Sequence, residues 1–168
     1  MPRRSRVPAN PLDCHERALR LLAVRPRARR ELEVRLLRAG FEPDEVRDEL
    51  ERLEAVGLVD DEAFARQVVE HELTVRRSGR RAVTGRLAGK GVSRGTIERA
   101  LEDLGAGGPG EEESRALELA RSRVSRLGAL EPSAAYRRLV PYLQRRGYGA
   151  GTAHRAASLA LGLEGAGE

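Results

Sequence analysis

Few residues of this chain have the types and spacing that bond-making chemistry needs. The histidines His15, His71 and His154 stand far apart, and none has Cys, His or carboxylate partners at metal-ligand spacing. Cys14 is the only cysteine, so no internal disulfide can form and nothing marks an oxidising compartment. Asp60-Asp61-Glu62 has the charge to attract a divalent cation. The same trio also reads as a helix start, with an Asp cap and acids on the positive end of the dipole, and that reading is preferred. The glycine-rich stretch Ala106-Gly107-Gly108-Pro109-Gly110 lacks the following Lys-Ser/Thr and the preceding strand of a phosphate loop. No Ser/His/Asp arrangement stands out. The expectation is a protein that is not an enzyme, with no catalytic residue, no metal site and no cofactor.

What remains is arginine. Basic residues number 31 against 26 acidic ones, a net charge of +5, and Lys90 is the only lysine. GC-rich coding accounts for a preference of Arg over Lys, but not for where the arginines sit. They come in blocks: residues 17–38 carry a balance of +6, residues 42–62 one of −8, and residues 66–99 again +6. Clustered Arg on a folded scaffold suits a polyanion or an acidic partner surface. Pairing between the blocks, each exposed salt bridge worth under about 1 kcal/mol, is the competing reading. Planar guanidinium groups grip phosphate oxygens at two points. The candidates for nucleic-acid or filament contact are therefore Arg25, Arg27, Arg29, Arg30, Arg35 and Arg38, then Arg76, Arg77, Arg80, Arg81, Arg86 and Lys90. The acidic stretch 42–62 is expected mainly to solvate its own helix.

The elements that must position these side chains read as helices. Aromatics are only 3% of the chain, while Ala, Leu, Arg and Glu abound, so an all-α fold is expected. Asp13-Cys14-His15-Glu16 is a capping box, with Ala18, Leu19, Leu22 and Ala23 on one face and Pro26 ending the helix. Leu32, Leu36 and Leu37 follow, up to Gly40. Pro43 opens a third helix with Val46, Leu50 and Leu53 inward. Asp60-Asp61 starts a fourth around Phe64 and Val68. Residues 76–81 read as a turn, then Val83 and Leu87 run to Gly91, and Ile97, Ala100, Leu101 and Leu104 form the next stripe. A seventh helix over 111–127 turns Leu117, Ala120, Val124 and Leu127 inward. Leu139 and Leu143 lead to Gly147, with Pro141 expected to kink that helix. An Ala-rich segment closes the fold. Tyr136, Tyr142 and Tyr148 do not share a helical face, and at least one is expected in the core. No stretch approaches the ~20 apolar residues of a membrane span, and no apolar signal core follows the basic N-terminus. A cytoplasmic monomer without membrane contact is expected.

Gly40, Gly91 and Gly147 align an internal repeat with spacings of 51 and 56 residues. Relative to each glycine, six positions are apolar in all three copies: Leu36/Leu87/Leu143, Leu32/Val83/Leu139, Phe41/Val92/Tyr148, Val46/Ile97/Ala153, Leu50/Leu101/Ala157 and Leu53/Leu104/Ala160. The pattern predicts three tandem three-helix repeats, over 13–57, 58–105 and 111–162. A flexible linker is expected at 106–110, with a disordered basic N-terminus over 1–12 and a disordered C-terminus over 163–168. Each unit is too small to bury its own faces, so neighbours are expected to stack in an elongated, curved array.

Several of these motifs carry a resemblance. Ala18-Leu19-x-Leu21-Leu22 with Arg25, Arg30-Glu31-Leu32-x-x-x-Leu36, and Gly57-Leu58-Val59-Asp60-Asp61-x-x-Phe64-Ala65 occur in order. They are followed by Gly79-x-x-x-Val83-x-x-x-Leu87-x-x-Lys90-Gly91-Val92 and Tyr142-Leu143-x-Arg145-Arg146-Gly147-Tyr148. Together these resemble RecX, a family of bacterial regulators of the RecA recombinase, over nearly the whole chain. Ala28 departs from the family, which often has a small hydroxyl residue there. The resemblance implies three tandem three-helix repeats and no enzymatic activity. It also implies binding to the RecA filament with its single-stranded DNA, inhibiting filament extension, ATP hydrolysis, strand exchange and co-protease activity. The alternative is a helix-turn-helix-like regulator acting directly on duplex DNA. No single helix, however, carries the Asn/Gln/Arg/Ser set that reads base edges.

Overall fold

In the computed structural model the described residues are 12–106, 108–128 and 130–163. Apart from Leu12 and Leu163, the stretches expected to be disordered at the two ends lie outside them. Among the described residues there are nine helices and no strand. They are α1 (Cys14–Val24), α2 (Arg29–Arg38), α3 (Pro43–Ala55), α4 (Asp61–Thr74), α5 (Arg80–Ala88), α6 (Arg94–Asp103), α7 (Pro109–Val124), α8 (Pro132–Arg145) and α9 (Ala150–Leu161). None is long and apolar enough to cross a membrane.

The helices pack in threes, α1 to α3, α4 to α6 and α7 to α9, and each trio closes on its own apolar cluster. The three aligned glycines set the common geometry. All have a left-handed backbone, with φ of +96°, +84° and +92°. Each ends its helix in the same Schellman turn. The glycine N–H donates to the carbonyl three residues back, and the next residue donates to the carbonyl five back: Phe41 to Leu36, Val92 to Leu87, and Tyr148 to Leu143. Five of the six aligned positions are buried in every copy. The exception is the last, where Leu53 is buried but Leu104 is exposed and Ala160 only partly covered.

Two local expectations need correction. Arg80 and Arg81, read as part of a turn, form the first turn of α5. α7 begins at Pro109, inside the expected linker, and stops at Val124. It buries Ala116, Leu119 and Ala120 rather than a stripe through Leu117 and Leu127. The small alanines of α7 meet Ala153, Ala156 and Ala157 of α9 in one cluster, so close approach replaces side-chain bulk. Pro141 lies on the exposed side of α8, which continues through it to Arg145.

The trios are joined by helix ends, and both joints use the same device. Neither α2 nor α5 has a side-chain cap of its own, since Ala28 and Gly79 occupy those positions. The first N–H of α2, at Arg29, instead donates to Asp61 Oδ1 on α4 at 2.8 Å. The first N–H of α5, at Arg80, donates to Glu112 Oε1 on α7 at 3.0 Å. Each carboxylate thus satisfies an orphan donor and sits on the positive end of a helix dipole in the preceding trio. At the second joint the carbonyls of Arg146 and Gly147 also accept from Gly79 and Arg81. The cap glycines permit this contact. A Cβ on Gly91 would lie 2.3 Å from Arg30 Cβ, and one on Gly147 would lie 2.4 Å from Ala82 Cβ and 2.5 Å from Ala82 N. At Gly40, in the first trio described, a Cβ would meet nothing within 4 Å.

The two ends of this series should respond differently to one substitution. Gly40→Ala is expected to cost only the left-handed strain, about 1–2 kcal/mol. Gly147→Ala should cost roughly 3 kcal/mol or more, because it also displaces backbone at a joint. Urea denaturation of the two variants checks this, and equal losses would contradict the packing described.

Candidate nucleic-acid and filament interface

The predicted cations are organised by buried carboxylates. Glu31 on α2 is the first node, its side chain 13% exposed. Its Oε1 accepts from Arg25, from Arg27 Nη1 at 2.7 Å and from Arg35 Nε at 3.4 Å. Its Oε2 accepts from Lys90 Nζ of the second trio at 2.8 Å. One acid therefore holds four cations, leaving a strong positive excess. Burial pushes the Glu31 pKa up, but hydrogen bonds from Lys90, Arg25 and Arg27 outweigh it and hold the group down at about 2. Glu72 on α4 is the second node. It is fully buried and accepts from Ser78 Oγ at 2.7 Å, with Arg86 Nε at 3.0 Å and Arg76 Nε at 3.5 Å.

Two adjoining grooves open above these nodes. The first, of about 590 Å³, is lined by Arg25, Arg30, Arg35, Arg38 and Lys90, with Glu31 the only acid. It lies between α2 and the C-terminal turn of α5. The second, of about 700 Å³, shares Arg25 and Lys90 and adds Arg76 after α4 and Arg86 on α5, with Glu70 and Glu72 as its acids and Phe64, Val68 and Val75 beside them. Arg38 makes no ion pair among the described residues, and Arg30 only a surface pair with Glu33 at 2.8 Å. These guanidinium groups retain free donors.

The other predicted residues lie elsewhere. Arg27 is buried, its Nε on the Leu21 carbonyl at 3.0 Å and its Nη1 on Glu31. It supports the groove from below and presents no face to a ligand, contrary to the sequence expectation. Arg29 pairs with Glu54 at 2.9 Å on the α3 side. Arg77, Arg80 and Arg81 belong to the second joint.

The acidic stretch does more than solvate its helix. Glu49 is buried against His15 Nδ1 at 2.8 Å and Arg52 at 3.1 Å, Asp61 caps α2, and Glu62 pairs with Arg99 at 2.6 Å. Sequence reasoning missed these cross-element partners. Their only signal was that two acids stood together at 60–61 where one helix needs one cap. Burial, reinforced by Glu45, Glu49 and Asp13, pushes the Cys14 thiol up to about 11, so it is a poor nucleophile. Among the described residues no three His, Cys, Asp or Glu side chains gather where a metal ion could sit.

Comparison with known proteins places this architecture. Residues 14–53 match the model of the first three-helix domain of RecX, and residues 60–101 that of the second. The chain is 38% identical over 162 residues to the regulatory protein RecX of Thermobifida fusca, covering 94% of this chain and 85% of that one. The chain belongs to the RecX family. The RecX of Mycolicibacterium smegmatis is 41% identical over 150 residues, 87% of this chain and 78% of its own. The crystal structure of RecX from Lactobacillus salivarius superposes with a TM-score of 0.74 at 19% identity, covering 89% of this chain and 95% of that one. A second RecX crystal structure gives 0.71 at 20% identity, covering 85% and 70%. These likenesses establish an all-α fold of tandem three-helix units in a chain of the RecX type, whose relatives are named as regulatory proteins rather than enzymes.

Glu31→Gln should destabilise the protein by roughly 2–4 kcal/mol at neutral pH, since it leaves Arg27 buried and unpaired. The depressed pKa makes the carboxylate stabilising above the usual value of 4.5, a contribution lost as pH falls toward about 2. The gap between wild type and variant should therefore close across that window. Denaturant titrations at stepped pH would expose the opposite trend.

Proposed function

We propose that this protein regulates homologous recombination by binding the RecA–single-stranded DNA filament and inhibiting its extension, ATPase, strand exchange and co-protease activity. Membership of the RecX family supports the partner. The single structural observation that carries the reading is the pair of grooves at the first joint, where Arg25, Arg30, Arg35, Arg38, Arg76, Arg86 and Lys90 converge with few opposing acids. A filament presents phosphates along its length, and arginines fixed by Glu31 and Glu72 meet them without ordering floppy side chains first.

In this reading the protein acts in the cytoplasm as a monomer and uses no cofactor. Contact goes to phosphate oxygens and the acidic protein surface rather than to base edges, which matches guanidinium groups spread over α2, α5 and the turns that precede them. Arg27 acts as a positioning residue beneath the groove. Free DNA is then a weaker ligand than the assembled filament.

The test is RecA ATPase on single-stranded DNA with substoichiometric protein. Wild type should inhibit, and Arg30→Glu with Arg38→Glu should weaken inhibition at least about tenfold at unchanged helicity. Inhibition should also fall steeply as salt rises. Undiminished inhibition by the double variant removes the groove from the mechanism. No inhibition by wild type, together with sequence-specific duplex binding, replaces the filament reading with the helix-turn-helix-like one.

A further inference from the structure

The second joint holds a separate pocket that the sequence did not announce. It has a volume of about 250 Å³ and is lined by Arg77, Arg123, Arg126 and Arg146, with Ser122, Leu119 and Tyr142. Four guanidinium groups come from the α4–α5 loop, α7 with the turn after it, and the C-terminal end of α8, and no acidic side chain lines the space. Arg123 and Arg146 both stand over the Tyr142 ring, at 5.0 and 5.7 Å. Arg126 is exposed and makes no ion pair among the described residues. About three turns before Arg126 on the same face of α7, and outside the pocket lining, Arg115 has Nε and Nη2 buried without a hydrogen-bond partner.

The loop carrying Arg77 is held rather than loose. Arg146 Nη1 donates to the Arg76 carbonyl at 2.5 Å, Tyr148 Oη donates to the Arg77 carbonyl at 3.2 Å, and Ser78 N donates to the Glu72 carbonyl at 2.8 Å. These anchors keep Arg77 at φ +51°, the only non-glycine residue with positive φ among those described. A strained backbone fixed at a cluster of like charges is costly, and an anion offsets that repulsion.

We propose that this pocket binds a phosphoryl oxyanion. Its volume suits one phosphate or diphosphate group rather than a whole cofactor, and its donors are guanidinium and hydroxyl groups, the set that grips phosphate oxygens. The phosphoryl group comes either from a free nucleotide or diphosphate or from the backbone of a nucleic-acid strand. The pocket is separate from the grooves at the first joint and does not rest on the filament reading.

Calorimetric titration of the full chain with inorganic pyrophosphate tests it. Saturable binding is expected, weakened about tenfold by Arg126→Gln, a change at an exposed side chain. Arg77→Gly should weaken it similarly while leaving the thermal midpoint unchanged or raised, because glycine relieves the positive φ. Binding should persist in the Arg30→Glu, Arg38→Glu variant, which separates this site from the grooves. Displacement of pyrophosphate by a short oligothymidylate assigns the strand backbone as the source; no displacement assigns a free phosphate compound. Absence of saturable pyrophosphate binding, or binding unaltered by both Arg126→Gln and Arg77→Gly, overturns the proposal.

Discussion

A helix must satisfy the N–H groups of its first turn, and in this protein two of the three middle helices cannot do so from their own sequence. Ala28 and Gly79 bring no side-chain acceptor to α2 and α5. The missing acceptors, Asp61 and Glu112, each lie 21 residues beyond the cap glycine of the same trio, on the first helix of the next one. A short interface between small modules is thereby tied to unmet backbone valence rather than to a broad apolar face. The grooves and the arginine pocket both open at these joints, so the capping bonds also fix the distances between cations from different modules.

Buried acids play the complementary part. Glu31 and Glu72 each gather more positive charge than they neutralise. Pairing between charge blocks and a basic outer surface are therefore not competing descriptions. The acids fix where the guanidinium groups stand, and the surplus remains available to an anion.

Much of the fold was legible because glycine is nearly alone in accepting a left-handed backbone. Three glycines followed by apolar residues therefore disclosed three identical turns. Alternation of Leu and Val around them disclosed the buried stripes. The face of α7 was misread because its alanines pack by closeness rather than bulk, and a pattern weighted toward Leu passes over them. Burial of Arg27 could not be read, since an arginine four residues before a glutamate looks the same on a surface as beneath a groove. The Glu31–Arg35 spacing was visible as a helical pair, whereas Lys90, 59 residues away, joins it only through the stacking. Arg123, Arg126 and Arg146 escaped for the same reason, belonging to segments that only the second joint brings to Arg77.

The joints also give the molecule a direction. Gly40 offers an unoccupied turn at one end, while at the other α8 starts at Pro132 and its cap residue, Glu131, makes no side-chain capping hydrogen bond. Head-to-tail stacking of this kind uses a different surface on each side of every joint. Its termini are chemically unlike, as those of a single strand are. A polymer with its own polarity would meet this series of modules in two inequivalent orientations, and only one of them would bring successive arginine sites into step with its repeat.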